Sequence, residues 1–192
     1  MRDLDSFRPL YDPTAVQPMR DELTRVGVDE LRTSEDVDGA LGSSEGTVLL
    51  VVNSVCGCAA GNARPGVMLA LQNEVIPDRL TTVFAGQDKE ATDKARGYMA
   101  EYPPSSPCIA VFQDGKVHTI IERHNIEGRS PQDIASMLAN SFNNCGGREG
   151  PSIPREEFEK IVPAHICGSS IPTFDADSSE ENGPAPGDPD KE

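Results

Sequence analysis

The chain has 192 residues and carries 32 Asp and Glu residues against 17 Lys and Arg residues, a formal net charge of −15. This length fits one well-buried core with some peripheral sequence, and the negative charge argues against nucleic acid and anionic membrane surfaces as partners. The sequence has no apolar run of membrane-spanning length and no apolar signal-peptide core after Met1, so we expect a cytoplasmic protein without a membrane partner.

The N-terminal segments predict an arm followed by two helices. Residues 1–13 are polar, contain two prolines, and are expected to form a flexible arm. Over residues 14–26 the apolar side chains recur at helical spacing. A shorter helix should begin after Thr33 or Ser34 and end by Gly42.

An apolar run over residues 47–55 predicts a buried strand, and two cysteines, Cys56 and Cys58, follow it directly. The next stretch, residues 59–71, predicts a helix that Pro65 should kink, because proline lacks an N–H group. A helix N-terminus stabilises a thiolate and can lower the pKa of a cysteine from about 8.5 into the range of about 3.5–7.5. One of the two sulfurs should therefore be a nucleophile.

The middle of the chain predicts a strand over residues 80–85 and a helix over residues 88–99. Together with the strand before the cysteines, this order implies a parallel crossover. After a proline-rich loop, apolar runs over residues 108–112 and 117–121 flank an Asp-Gly pair, which is a strong signal for a β-hairpin.

A last core helix is predicted from Ser130 or Pro131 to Phe142, where the core should end. Residues 14–145 would then form one domain, and residues 146–192 an extension that ends in a disordered acidic tail. That tail carries seven acidic residues and one lysine from Asp175 onward, and such a segment buries too little apolar surface to fold. A short helix within residues 155–161 is weakly indicated.

The element order predicts an α/β protein with a thioredoxin-like fold, in which helices flank a central mixed sheet. Pro107 follows a loop and opens an apolar strand, which is the place where this fold keeps a cis-proline. We therefore expect the Ser106–Pro107 bond to be cis.

Three stretches resemble the bacilliredoxin family: residues 51–65 (VVNSVCGCAAGNARP), residues 83–92 (VFAGQDKEAT) and residues 104–107 (PSSP). The resemblance spans roughly residues 16–145. It implies a thioredoxin-like fold, a Cys-Gly-Cys active site, and removal of the low-molecular-weight thiol bacillithiol from mixed disulfides on cytoplasmic proteins. The implied partners are bacillithiolated client proteins and bacillithiol as thiol co-substrate, with no cofactor and no metal. The oligomeric state stays open.

In the implied reaction, we expect Cys56 to be the nucleophile because it lies nearer the helix start, whereas Cys58 should be more covered; the alternative is that the two cysteines exchange these roles. Either Cys58 or a second bacillithiol would then resolve the adduct on Cys56. A disulfide across one residue should be strained and easily reduced, and Gly57 supplies the backbone freedom for it. In this fold, Ser106 and Pro107 should form one wall of the groove that binds the client.

Neighbouring polar residues have two interpretations. Asn53, Ser54 and Arg64 could tune the thiols; alternatively, Asn53 and Ser54 satisfy backbone groups at the end of the strand and Arg64 is a solvated helix residue. His118 alternates with apolar residues and should face solvent.

The other cysteines leave alternatives open. Cys108 is expected to be a small buried hydrophobe. Cys145 and Cys167 could pair, resolve an adduct, bind metal or be inert, and an inert thiol is the simplest expectation for Cys167. Two alternative functions also remain: a general disulfide isomerase or reductase, and a metal-binding module that uses the same cysteines, although one intervening residue is tighter than structural zinc sites use.

Overall fold

The computed structural model describes residues 8–42 and 45–161, which form the predicted α/β architecture with a thioredoxin-like arrangement. No helix within these residues is long and apolar enough to cross a membrane. The helices are α1 (Pro13–Thr24), α2 (Ser34–Leu41), α3 (Arg64–Ala70), α4 (Lys89–Gly97), α5 (Arg123–Ile126), α6 (Pro131–Cys145) and α7 (Arg155–Phe158). The strands are β1 (Asp29–Glu30), β2 (Thr47–Asn53), β3 (Val75–Ile76), β4 (Arg79–Phe84), β5 (Cys108–Gln113), β6 (Lys116–Ile121) and β7 (Arg148–Glu149).

The central sheet has five strands in the order β1-β4-β2-β5-β6. Strand β2 is parallel to β4, which confirms the crossover predicted from the strand, helix, strand order. Strand β5 is antiparallel to both β2 and β6, so the sheet is mixed, as expected. The short strands β3 and β7 pair with each other in a separate ribbon.

Strand β2 is buried along its whole length because helices cover both faces of the sheet. Leu49 and Val51 pack into a core cluster with α3 and α6. Leu50 and Val52 point to the other face and pack with α2 and α4. The uninterrupted apolar run in the sequence thus reflects a strand between two layers of helices.

The predicted hairpin is present with the expected turn. Gln113 pairs with Lys116 across a two-residue loop. Both loop residues have positive φ, 50° at Asp114 and 75° at Gly115. Asp-Gly is favoured in such a loop because both positions need left-handed backbone.

The kink predicted in the helix after the cysteines takes the form of a π-helical turn. Helical backbone begins at Gly57, is π-helical over Ala59–Ala63 and continues as α3. The N–H group of Arg64 bonds the carbonyl of Ala59, five residues earlier. Pro65 follows at once, and because it has no N–H group the regular ladder is interrupted at this point.

The core extends further along the chain than predicted. Strand β7 pairs with β3, and Ile153, Phe158 and Ile161 pack against the cluster that includes α3 and α6. The prediction ended the core at Phe142 because these three apolar residues lie among Gly, Pro and charged residues, without a helical or strand period. The short helix indicated within residues 155–161 is confirmed as α7. The predicted acidic tail lies outside the described residues.

The last part of the predicted N-terminal arm is attached to the domain. Leu10 donates its N–H group to the carbonyl of Gly86 at 2.8 Å. Tyr11 donates its N–H group to Gln87 at 3.0 Å, and the Gln87 amide donates back to the Tyr11 carbonyl. Residues 1–7 of the arm lie outside the described residues.

Candidate active site

Three chain segments meet at the sheet edge where β2 ends. Val52 of β2 lies opposite Cys108 of β5, and Ile109 lies opposite Ile121 of β6. Because β5 runs antiparallel to both neighbours, the residues after β2, before β5 and after β6 share one edge. The Cys-Gly-Cys triplet, the Ser106–Pro107 bond and helix α5 therefore lie around the same place.

The two thiols of the triplet lie in contact. The Sγ atoms of Cys56 and Cys58 are 3.0 Å apart, and both residues are half-buried free cysteines. The expectation that Cys58 is the more covered of the two finds no support, since both side chains are half-buried. At this separation the S–H group of one cysteine can donate a hydrogen bond to the thiolate of the other.

The environment of Cys56 favours its thiolate. Burial opposes ionisation, but hydrogen bonds from the Ser54 hydroxyl, the Cys58 thiol and the Ala59 N–H group outweigh it. The positive charge of Arg123 acts in the same direction. The pKa of Cys56 is therefore lowered from its ordinary value, which is the property that a nucleophilic cysteine needs.

Cys58 has the opposite environment. Burial raises its pKa, and so do the hydrogen bond to Cys56 and the negative charge that Cys56 carries as a thiolate, so that the pKa of Cys58 is about 11. The two sulfurs thus divide into an acceptor and a donor: Cys56 carries the charge and Cys58 keeps the proton. The pair titrates as a coupled unit, with the first proton lost from the side of Cys56.

Helix α5 and the residue that follows it supply two charged side chains that the sequence reasoning missed, Arg123 and Glu127. The Nε atom of Arg123 donates to Oε1 of Glu127 at 2.7 Å, and the same oxygen accepts from Cys58 Sγ at 3.7 Å. Both side chains are about half exposed. No local pattern marks them, because Glu127 lies 69 positions from Cys58 and only the sheet topology brings the two together.

A buried polar network lies beneath the loop that carries Cys56. Arg64 is fully buried and forms an ion pair with Glu22 of α1. Its Nη1 atom also donates to Asn53 Oδ1 at 3.2 Å and to the carbonyl of Ser54 at 3.0 Å. The interpretation of Arg64 as a solvated helix residue is wrong, because the ion pair with Glu22 compensates its burial.

Asn53 and Ser54 satisfy backbone groups where the strand ends, as one of the two interpretations held. Asn53 Oδ1 accepts the N–H group of Ser54 at 2.8 Å, and the Ser54 hydroxyl accepts the N–H group of Cys56 at 3.2 Å. The same hydroxyl stabilises the Cys56 thiolate. Both interpretations of Ser54 therefore apply, since its hydroxyl accepts a backbone N–H group and also donates to the Cys56 sulfur.

The Ser106–Pro107 peptide bond is cis, as expected. Pro107 is buried, whereas Ser106 is partly exposed at the edge of the sheet beside the end of β2. The neighbouring Ser105 accepts the N–H group of Arg123 at 3.4 Å, which connects this loop to α5. The role of Ser106 and Pro107 in binding a client stays a prediction.

The remaining cysteines lie in less reactive surroundings. Cys108 is buried, as expected, and burial raises its pKa to about 11. Burial also raises the pKa of Cys145, which is half-buried at the end of α6. Cys167 lies outside the described residues. His118 is exposed on β6, as expected.

Among residues 8–42 and 45–161, no three His, Cys, Asp or Glu side chains come together in a way that could hold a metal ion. The thiol pair is therefore not part of such a cluster within that range.

Comparison with known proteins gives consistent matches. A family model described as "Disulphide isomerase" matches residues 11–145. A protein of Koribacter versatilis named bacilliredoxin is 49% identical over 142 residues, which cover 73% of this chain and 98% of that protein. A bacilliredoxin of Salinibacter ruber is 52% identical over 145 residues, covering 74% of this chain and 85% of its own. A bacilliredoxin of Staphylococcus aureus is 50% identical over 140 residues, which cover 73% of this chain and 96% of that protein.

Proposed function

This chain belongs to the bacilliredoxin family of thiol–disulfide oxidoreductases, and on that premise we propose that it removes bacillithiol from mixed disulfides on cytoplasmic client proteins. Cys56 is the nucleophile and Cys58 the resolving thiol. Bacillithiol is the thiol co-substrate, and no cofactor or metal takes part.

The first step is an exchange at the bacillithiol sulfur. The Cys56 thiolate attacks that sulfur, a new disulfide forms between Cys56 and bacillithiol, and the client sulfur leaves as a thiolate that takes a proton from water. Cys58 then attacks Cys56 Sγ, which forms the Cys56–Cys58 disulfide and releases bacillithiol. A second bacillithiol could replace Cys58 in this step, giving the bacillithiol disulfide instead.

The observation that carries this proposal is the asymmetry of the thiol pair. The two sulfur atoms are 3.0 Å apart. The pKa of Cys56 is lowered, so Cys56 can attack as a thiolate, whereas Cys58 has a pKa of about 11 and remains a protonated thiol beside it. Half-burial leaves Cys56 open to a second sulfur. Ser106 and Pro107, at the same sheet edge, form one wall of the client groove.

The description of the matching family model favours a second candidate, a general disulfide isomerase or reductase. The same two thiols would serve it, without preference for bacillithiol. A metal-binding module is the third alternative, and stoichiometric zinc or iron in protein purified without added metal would support it.

Mass spectrometry of Cys56→Ser and Cys58→Ser after mixing with a bacillithiolated client tests the proposal. The Cys58 variant should retain bacillithiol on Cys56, whereas the Cys56 variant should stay unmodified. Cys108→Ser is the matched control, because Cys108 is buried, and it should behave as the parent protein. An adduct on Cys58 in the Cys56 variant would contradict the assigned roles. Equal release rates from bacillithiolated and glutathionylated forms of one client would favour the general reductase.

A further inference from the structure

The second exchange step needs an acceptor for the proton on Cys58. A thiol attacks a disulfide as its thiolate, and in the resting protein burial, the hydrogen bond to Cys56 and the charge on Cys56 raise the pKa of Cys58 to about 11. Burial still opposes the ionisation of Cys58 after Cys56 has lost its charge, so Cys58 mostly keeps its proton at neutral pH. In the resting protein the Cys56 thiolate, 3.0 Å away, accepts the Cys58 hydrogen bond. Once Cys56 is part of a mixed disulfide, its sulfur carries no charge and no longer serves as that acceptor.

Glu127 is placed to take over this role. Its Oε1 atom lies 3.7 Å from Cys58 Sγ, within the longer range that hydrogen bonds to sulfur reach. The guanidinium of Arg123 holds the same oxygen at 2.7 Å and lowers the pKa of Glu127, which keeps the carboxylate ionised. A proton acceptor is thus fixed beside the sulfur that must lose a proton.

We propose that Glu127 is a catalytic residue of the resolving step, a role that rests on the function proposed above. As Cys58 attacks Cys56 Sγ, its proton passes to the Glu127 carboxylate, the Cys56–Cys58 bond forms, and the bond from Cys56 to bacillithiol breaks. The departing bacillithiol sulfur receives the proton back from Glu127. The step therefore starts from one thiol and one mixed disulfide and ends with one internal disulfide and one free thiol, with Glu127 again ionised.

A purely structural role for Glu127 gives a different expectation. If Glu127 only holds Arg123 in place, the loss of Glu127 would change the position of the Arg123 charge relative to Cys56. The pKa of Cys56 would then change, and with it the rate of the first step. If Glu127 accepts the proton, its loss acts on the second step and changes how that step depends on pH. The two steps must therefore be observed separately.

The aromatic disulfide dithiobis(nitrobenzoate), mixed with one equivalent of reduced full-length protein, separates the steps. Attack by Cys56 releases one nitrothiobenzoate chromophore, and attack by Cys58 on the adduct releases a second. Changing Cys145 and Cys167 to serine in every protein leaves the buried Cys108 as the one further thiol beside the pair. The compared variants are Glu127→Gln, which keeps an oxygen for Arg123, and Glu122→Gln, which changes the neighbouring carboxylate at the start of α5.

Glu127→Gln should slow the second release by about 10- to 100-fold, which is the low end of the usual contribution of a general base or less, because a carboxylate with a lowered pKa is a weak base. The first release should stay within about twofold of the parent rate. The rate of the second release in Glu127→Gln should rise about tenfold per pH unit near neutrality, since the reaction then depends on the Cys58 thiolate alone. The rate of the second release in the parent protein should depend less steeply on pH. Glu122→Gln should match the parent in both phases.

An unchanged second phase in Glu127→Gln, or an equal loss in both phases with an unchanged pH profile, would overturn the role of Glu127 while leaving the proposed function intact. A parent protein that releases only one chromophore would overturn the role of Glu127 together with that of Cys58 as the resolving thiol, and resolution would then need a second bacillithiol. A parent protein that releases no chromophore would overturn the proposed function as well, because Cys56 would not be a nucleophile.

Discussion

The sulfur atoms of Cys56 and Cys58 lie 3.0 Å apart, although the two residues differ in the direction of their pKa shifts. One proton between the two sulfurs accounts for this difference, because a hydrogen bond from the Cys58 thiol stabilises charge on Cys56 and the charge on Cys56 opposes a second ionisation. The strength of this coupling can be measured by changing one member of the pair.

Replacing Cys58 with alanine should raise the pKa of Cys56, since the S–H donor to its thiolate is lost. Replacement with serine should raise it less, because an O–H group can still donate. The pH dependence of thiolate absorbance, or of the rate of alkylation of Cys56, measures the shift. A Cys56 pKa that is the same in both variants would show that the hydrogen bond between the side chains is not what lowers it.

Ser54→Ala should also raise the pKa of Cys56, because the Ser54 hydroxyl is the leading group that favours the thiolate. The change also removes the acceptor for the Cys56 N–H group, so the loop should be less stable. Alkylation rates at neutral pH should fall accordingly. Ser136→Ala is the control, since that hydroxyl bonds within α6. Unchanged alkylation in Ser54→Ala would contradict the assignment.

Arg123→Gln should raise the pKa of Cys56 by removing a nearby positive charge, and Arg123→Lys should restore most of the effect. Because Arg123 is half exposed, added salt should weaken its influence, and the parent and Arg123→Gln proteins should converge as the ionic strength increases. Alkylation rates at low and high salt provide the measurement. A difference that does not depend on salt would point to a change of structure instead.

Arg64→Met should destabilise the fold by about 3–5 kcal/mol, the usual cost of removing one partner from a buried ion pair. Glu22 would lose the guanidinium facing it, and the Ser54 carbonyl would lose a donor. The double variant Arg64→Met, Glu22→Gln should recover part of the loss. Urea unfolding measures both free energies. A loss below about 1 kcal/mol in the single variant would mean that the pair contributes little.

The stability of the reduced protein should depend on pH in opposite directions for the two thiols. Cys56 has a lowered pKa in the folded state, so its contribution is present above the pKa of the unfolded chain, about 8.5, and is lost as the pH falls through the folded value. Cys58 has a raised pKa, so its contribution is present below about 8.5 and is lost as the pH rises toward about 11.

The Cys58→Ser variant isolates this effect. Its unfolding free energy should fall less than that of the parent protein between about pH 8.5 and pH 11, because serine does not titrate there. The pKa of Cys56 also changes in this variant, and the alkylation experiment described above supplies its value in each protein. The remaining groups titrate equally in both proteins and cancel in the difference. Parallel stability curves for the two reduced proteins would show that Cys58 has the same pKa in the folded and unfolded states.

Local patterns in the sequence were sufficient for much of the fold. The apolar run of β2, the Asp-Gly pair at the hairpin and Pro65 each act through near neighbours, so their consequences are visible in a few residues. The cis bond before Pro107 followed from the place of that proline in the element order.

The electrostatic surroundings of the thiols could not be read in the same way. Arg64 looks like an ordinary surface helix residue, because the partner that lets it be buried, Glu22, lies 42 positions earlier in the chain. Arg123 and Glu127 reach the thiols only because β6 ends at the sheet edge where β2 ends. Pairings of this kind depend on the topology of the fold, and residues so far apart in the chain form no periodic pattern that the sequence could show.

The ion pair between Arg64 and Glu22 also limits how the site can be engineered. A graft of residues 51–65 onto another scaffold would include the two thiols, their serine and the buried arginine, but not the carboxylate that α1 contributes. The recipient would then have to enclose an uncompensated guanidinium directly below the reactive loop. A transplanted motif therefore needs an acidic residue in the helix beneath it.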